Sequence, residues 1–105
     1  MSFNLMKLIL ERKVGAGERT GAIVRKAVLI AMADRASDDG SGIWASQATL
    51  AATAECSERA LRNALADLEE EGLIAREDDA SQRTVTWRIN VTALDALPVT
   101  RNRDA

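Results

Sequence analysis

The chain has 105 residues, enough for one domain with its own core, and 47% of them are apolar with only Phe3, Trp44 and Trp87 aromatic. A formal net charge of −2 rules out a polycation, so any nucleic-acid surface must be a local patch. Histidine is absent and Cys56 is the single cysteine, which excludes disulfide frameworks, zinc clusters and His-dependent catalysis.

A lone thiol suits a reducing cytoplasm, and the longest apolar run, "AVLIAMA" at 27–33, is too short to span a bilayer. The opening "MSFNLMKLILERK" places its charges after the apolar run and shows no small-residue cleavage site, unlike a secretory signal. These features together predict a cytoplasmic protein.

Residues 1–14 form an N-terminal apolar segment, predicted to be a helix capped by Ser2 and apolar around most of its circumference. Such a segment is either buried on several sides or shared with a second copy in a homodimer. "GAGERTG" (15–21) reads as a loop. It lacks the Gly-Lys-Ser/Thr ending of a phosphate loop, and no strand precedes it.

The next helix is expected from Thr20 to Ala36, with Ile23, Val24, Ala27, Val28, Ile30 and Ala31 buried and Arg25, Lys26, Asp34 and Arg35 in water. Arg25 and Lys26 read as a hydrated helix face or as contacts to flanking phosphates. "SDDGSG" (37–42) is a loop. Read as a calcium loop, this region lacks the acidic first ligand, where Arg35 stands, and the closing Glu, where Ser46 stands.

Ser46 is the predicted N-cap of a short helix reaching Ala54. Three residues on, Ser57 caps a longer helix whose apolar face is Ala60, Leu61, Ala64, Leu65 and Leu68, and Gly72 takes the C′ position. The period then changes from 3.6 to 2. "LIARE" (73–77) and "TVTWRINV" (84–91) are strands, with Val85, Trp87, Ile89 and Val91 on one side and "DDASQR" (78–83) as the hairpin tip. Residues 92–105 give a short helical turn, "TALDAL", stopped by Pro98 and followed by a frayed tail. Trp44 and Trp87 read as core anchors, and Cys56 as a buried structural thiol.

The helix over 57–71 starts basic and ends acidic, against its macrodipole, which favours the opposite by ~0.3–1 kcal/mol per charge. At ~100° per residue, the first two turns of its solvent face present Arg59, Arg62 and Asn63. Arginine can donate two hydrogen bonds to guanine, and Asn can pair with adenine. Glu70 lies ~16 Å beyond Arg59 at 1.5 Å per residue, so a helix entering a groove tip-first keeps its glutamates clear of the phosphates. The same residues also fit the solvated side of an ordinary amphipathic helix.

"WASQATLAATAECSERALRNALADLEEEGLI" (44–74) makes the reading more specific. Trp44, Ser46, Leu50, Ala51, Ser57, Leu68, Gly72, Leu73 and Ile74 resemble the pattern of winged helix-turn-helix domains of phage and plasmid replication initiators and related bacterial regulators. The resemblance implies a mainly α fold with a small β-hairpin, the winged domain spanning 20–91. It implies sequence-specific binding of double-stranded DNA as a transcriptional regulator or a replication or phage-type protein, without cofactor, metal or catalysis. A recognition helix at 57–71 would enter the major groove beside a wing at 75–88.

Ser57, Arg59, Arg62 and Asn63 are the candidate readers, with Ser46 and Gln47 as phosphate contacts. In the wing Arg76, Arg83 and Arg88 are candidates, and Arg83 at the tip is preferred; the hairpin also fits a purely structural role. One departure is Glu55, which stands where the family has a turn glycine. The alternative function is a winged-helix module binding another protein, favoured by the acidic balance and the apolar N-terminal segment.

Overall fold

The computed structural model describes residues 2–77 and 85–100. Ser2 caps α1 (Phe3–Glu11) through its hydroxyl, which accepts from the Leu5 N–H, and Leu5 and Ile9 turn into the core. The loop 15–21 leads to α2 (Ala22–Ala33). A two-residue strand β1 (Ile43–Trp44) precedes α3 (Gln47–Ala54) and α4 (Glu58–Glu70). Strands β2 (Ile74–Glu77) and β3 (Thr86–Ile89) and the short α5 (Val91–Asp95) complete the order.

The three strands form one antiparallel sheet in the order β1-β3-β2. Ile74 pairs with Ile89, Arg76 with Trp87, and Ile43 with Trp87 from the other side, so these side chains share the inner face. Helices α2, α3 and α4 close over a core that includes Val28, Leu29, Met32, Leu50, Leu61, Leu65 and Leu68. The expected α+β architecture is present, and it is a winged helix-turn-helix. The strand β1 at its edge was not foreseen, because two residues carry no period.

Gly72 ends α4 as expected, with φ 77. The Gly72 N–H donates to Glu69 O and the Leu73 N–H to Leu68 O, and Leu73 and Leu68 are both buried. This Schellman arrangement satisfies the last carbonyls and turns the chain directly into β2.

Three sequence-based expectations fail in α2 and around it. Ile23 is 86% exposed, whereas Arg25, expected in water, is fully buried. The helix is apolar nearly all round, so its period does not fix the inward face; Arg25 turns inward because it pairs with Glu71 at the end of α4. Lys26 is not a free phosphate contact either, since its Nζ donates to the carbonyls of Leu10 and Arg12, within and just beyond the end of α1. Trp44 is no core anchor: it is 67% exposed, because its register with Thr86 puts it on the outer sheet face while Ile43 points in.

Of the tail expected from sequence, residues 99 and 100 are placed, and 101–105 lie outside the described residues. Val99 bridges to Arg12, the Thr100 N–H donates to Glu11 O, and the Lys13 N–H to Pro98 O. Arg12 also pairs with Asp95 at 2.7 Å. Residues 98–100 thus lie against the chain just beyond α1.

Candidate nucleic-acid interface

Two serines start the two helices of the central motif. Ser46 Oγ accepts from the Thr49 N–H and Ser57 Oγ from the Ala60 N–H, each satisfying one of the orphan donors of a helix start. Between them Glu55 adopts φ 56 and ψ 45, the left-handed conformation that the glycine-like position requires. Its N–H and that of Cys56 return to carbonyls of the last turn of α3. The turn geometry is therefore kept without glycine, at ~1–2 kcal/mol of steric cost. Replacing Glu55 with glycine should remove that cost, offset in part by the looser unfolded chain. The expected net effect is a stabilisation of up to about 1 kcal/mol, read as a higher midpoint in chemical denaturation.

The turn fixes how α4 stands out from the domain. Leu61, Ala64, Leu65 and Leu68 are buried, while Ser57, Arg59 and Arg62 are exposed and Asn63 is half-buried. Gln47, at the start of α3, is exposed next to its cap. Among the described residues, neither Arg59 nor Arg62 makes an ion pair or a side-chain hydrogen bond, so both guanidinium groups keep their full donor sets. Arg83 lies outside the described residues. The other two wing arginines are engaged within the protein. Arg76 pairs with Glu69 at 3.4 Å and stacks over the Trp87 ring at 5.2 Å, and Arg88 stands 3.8 Å from Glu77.

From sequence, the acidic end of α4 is expected to lie clear of the DNA phosphates. The structure gives it another role. Glu69 holds Arg76, Glu70 and Asp67 hold Arg19, and Glu71 holds Arg25. The last turn contains no basic residue of its own, yet three arginines from the neighbouring loop, helix and strand stand there. They neutralise the acids and supply the positive charge that a helix C-terminus favours.

Asp67 is the centre of this cluster, and sequence reading passed over it. Its side chain is 1% exposed. It accepts from the backbone N–H groups of Arg19 and Thr20 at 2.9 and 3.0 Å, from Thr20 Oγ1 at 2.8 Å and from Arg19 Nη1 at 2.6 Å. Burial pushes its pKa up, but the hydrogen bonds from Arg19 and Thr20 outweigh this and hold it down at about 2. The bound carboxylates in turn raise Arg19, Glu70 most and then Asp67. Gly17 crosses the cluster so closely that an added Cβ would stand 2.5 Å from Asp67 Oδ2 and 2.7 Å from Arg25 Nη1. The "GAGERTG" segment is thus a strap over the end of α4, which explains the glycine at position 17. A signal did exist: Asp67 falls three residues after Ala64, on the buried face of the helix, where a carboxylate needs partners.

Among the described residues, no cluster of Cys, Asp or Glu is placed to hold a metal ion, and no helix is long and apolar enough to cross a membrane. Neither the curated proteins nor the solved structures contain a match to this chain. Residues 25–74, just under half of the chain and running from α2 to the first residue of β2, match the family model of the helix-turn-helix domain, a DNA-binding and non-enzymatic kind of domain.

Proposed function

We propose that this protein binds double-stranded DNA with sequence preference, reading bases through Arg59, Arg62 and Asn63 from α4 in the major groove. The observation that supports this best is the pair of exposed guanidinium groups on the first turns of α4, without partners among the described residues, where most other described arginines pair within the protein. Ser57 stands at the tip, and Ser46 and Gln47 at the start of α3 contact the phosphates. The wing reaches the neighbouring backbone, with Arg83, outside the described residues, as the candidate contact from sequence. The biological setting is transcriptional regulation, or replication of a phage or mobile element, in the cytoplasm. Two copies bind adjacent half-sites, with the exposed Phe3 and Leu10 of α1 as the contact between them.

Selection from a random duplex library, followed by titration of the selected site over a range of salt, tests this reading. The expected result is a defined motif in two half-sites, with affinity falling steeply as salt rises because neutralised phosphates release counterions. Recovery of unselected sequence together with salt-insensitive or absent binding would sink it, and would favour a winged-helix module whose partner is another protein.

A further inference from the structure

Trp44 is a large aromatic left largely in water, and its surroundings are not random. It lies on the outer face of the sheet, beside a groove of about 580 Å³ lined by Arg35, Gly42, Trp44, Ala45, Ser46 and Thr49. Arg35 is the one charged residue of that lining, and among the described residues its guanidinium has no ion pair or hydrogen bond. The acids of the adjoining loop and strand are turned to other tasks: Asp38 accepts from Ser2, Asp39 from Ser41, and Glu77 from the Gly42 N–H. The groove therefore offers a flat apolar ring, a free cation and two hydroxyls, a combination suited to an anionic strand of alternating sugar and phosphate.

We propose that this groove seats the sugar–phosphate backbone of the DNA flanking the bases that α4 reads. The inference rests on the DNA-binding reading and extends its footprint. Two arguments select this occupant. The groove is continuous with the proposed interface, since Ser46 both lines it and caps α3. Its charge is complementary to phosphate, with Arg35 unopposed by any lining carboxylate. The Trp44 indole packs on the deoxyribose face, Arg35 takes the adjoining phosphate, and the hydroxyls of Ser46 and Thr49, 2.9 Å apart, can reorient towards the strand. Backbone contacts of this kind fix register and add affinity without reading sequence.

The test uses the full chain, the selected duplex with and without several flanking base pairs, and the variants Arg35→Gln and Trp44→Ala. Both residues are exposed, and thermal unfolding verifies that both variants fold. On the long duplex each variant should bind about 3- to 10-fold more weakly than the parent at moderate salt. Base preference should stay unchanged, and Arg35→Gln should lower the salt dependence by about one phosphate contact. On the short duplex these differences should vanish. DNA should also shift the indole emission of the parent, a change missing in Trp44→Phe because Trp87 is buried. Equal binding of parent and variants to the long duplex, or unchanged Trp44 emission on saturation, overturns the inference while leaving the reading of α4 intact. Failure of the parent to bind any duplex overturns both. Quenching of Trp44 by acidic peptides but not by duplex would assign the groove to a protein partner and overturn it as well.

Discussion

With Arg59 and Arg62 both replaced by alanine, the protein is expected to fold as before and to lose its choice of DNA sequence. Both side chains are exposed and, among the described residues, unpaired, so their removal breaks no internal contact. Alanine is also the better helix former. A bidentate arginine–guanine contact is worth ~1–3 kcal/mol of discrimination. Two such losses lower affinity for the selected site by roughly 30-fold to 10⁴-fold, towards the level of unspecific binding. Unspecific, salt-dependent binding should persist, because contacts from α3 and the wing remain. The measurement is selection from random duplexes by parent and double variant, alongside their unfolding curves. A double variant that recovers the same motif as the parent would show that α4 reads no bases.

The second large effect concerns stability. Replacing Asp67 with alanine removes an almost fully buried carboxylate that holds two backbone N–H groups, a hydroxyl and a guanidinium. The donors of Arg19 and Thr20 are then left without their acceptor, and the strap loses its anchor on α4. Breaking such a part-buried ionic cluster should lower Tm by at least about 10 °C. Asn at the same position keeps one acceptor oxygen, so its loss should be smaller. The same site makes stability depend on acid. The folded pKa of Asp67, about 2, lies below the usual carboxylate value of ~3.9 in the unfolded chain. Its ionised form therefore stabilises the fold fully above about pH 4, and that contribution fades as pH falls through about 2. In the alanine variant this part of the acid sensitivity should be missing. Parallel denaturation curves between pH 2 and 6 would show it, and identical pH profiles for the two proteins would count against the assignment.

How much of this was legible beforehand depends on the range of the interactions involved. The limits of α3 and α4 follow from Ser46, Ser57 and Gly72, all of which act within a few residues, and the observed caps fall at those serines. Strands β2 and β3 follow from alternation. The left-handed turn was legible only through the family resemblance, in which Glu55 stands where a turn glycine is expected, and the structure shows Glu55 in that conformation. The inward face of α2 was not legible, since its apolar run has no clear stripe and Arg25 is drawn inside by Glu71, 46 positions later in the chain. The same distance hid Asp67, whose partners lie 47 and 48 positions earlier. Trp44 misled for a further reason: an isolated aromatic in a two-residue strand has its side decided by register with β3, which only the assembled sheet provides. The sequence therefore reads the framework of the candidate surface well, and reads poorly the ionic cluster that holds its helix from behind.

That cluster has a mechanical meaning. Because Asp67 grips residues 19 and 20, the stretch leading out of α1 is rooted in the very rod that carries Arg59 at its other end. On the proposed reading of α4, a second molecule that takes hold of α1 would act on the exposed guanidinium groups through the stretch that Asp67 anchors.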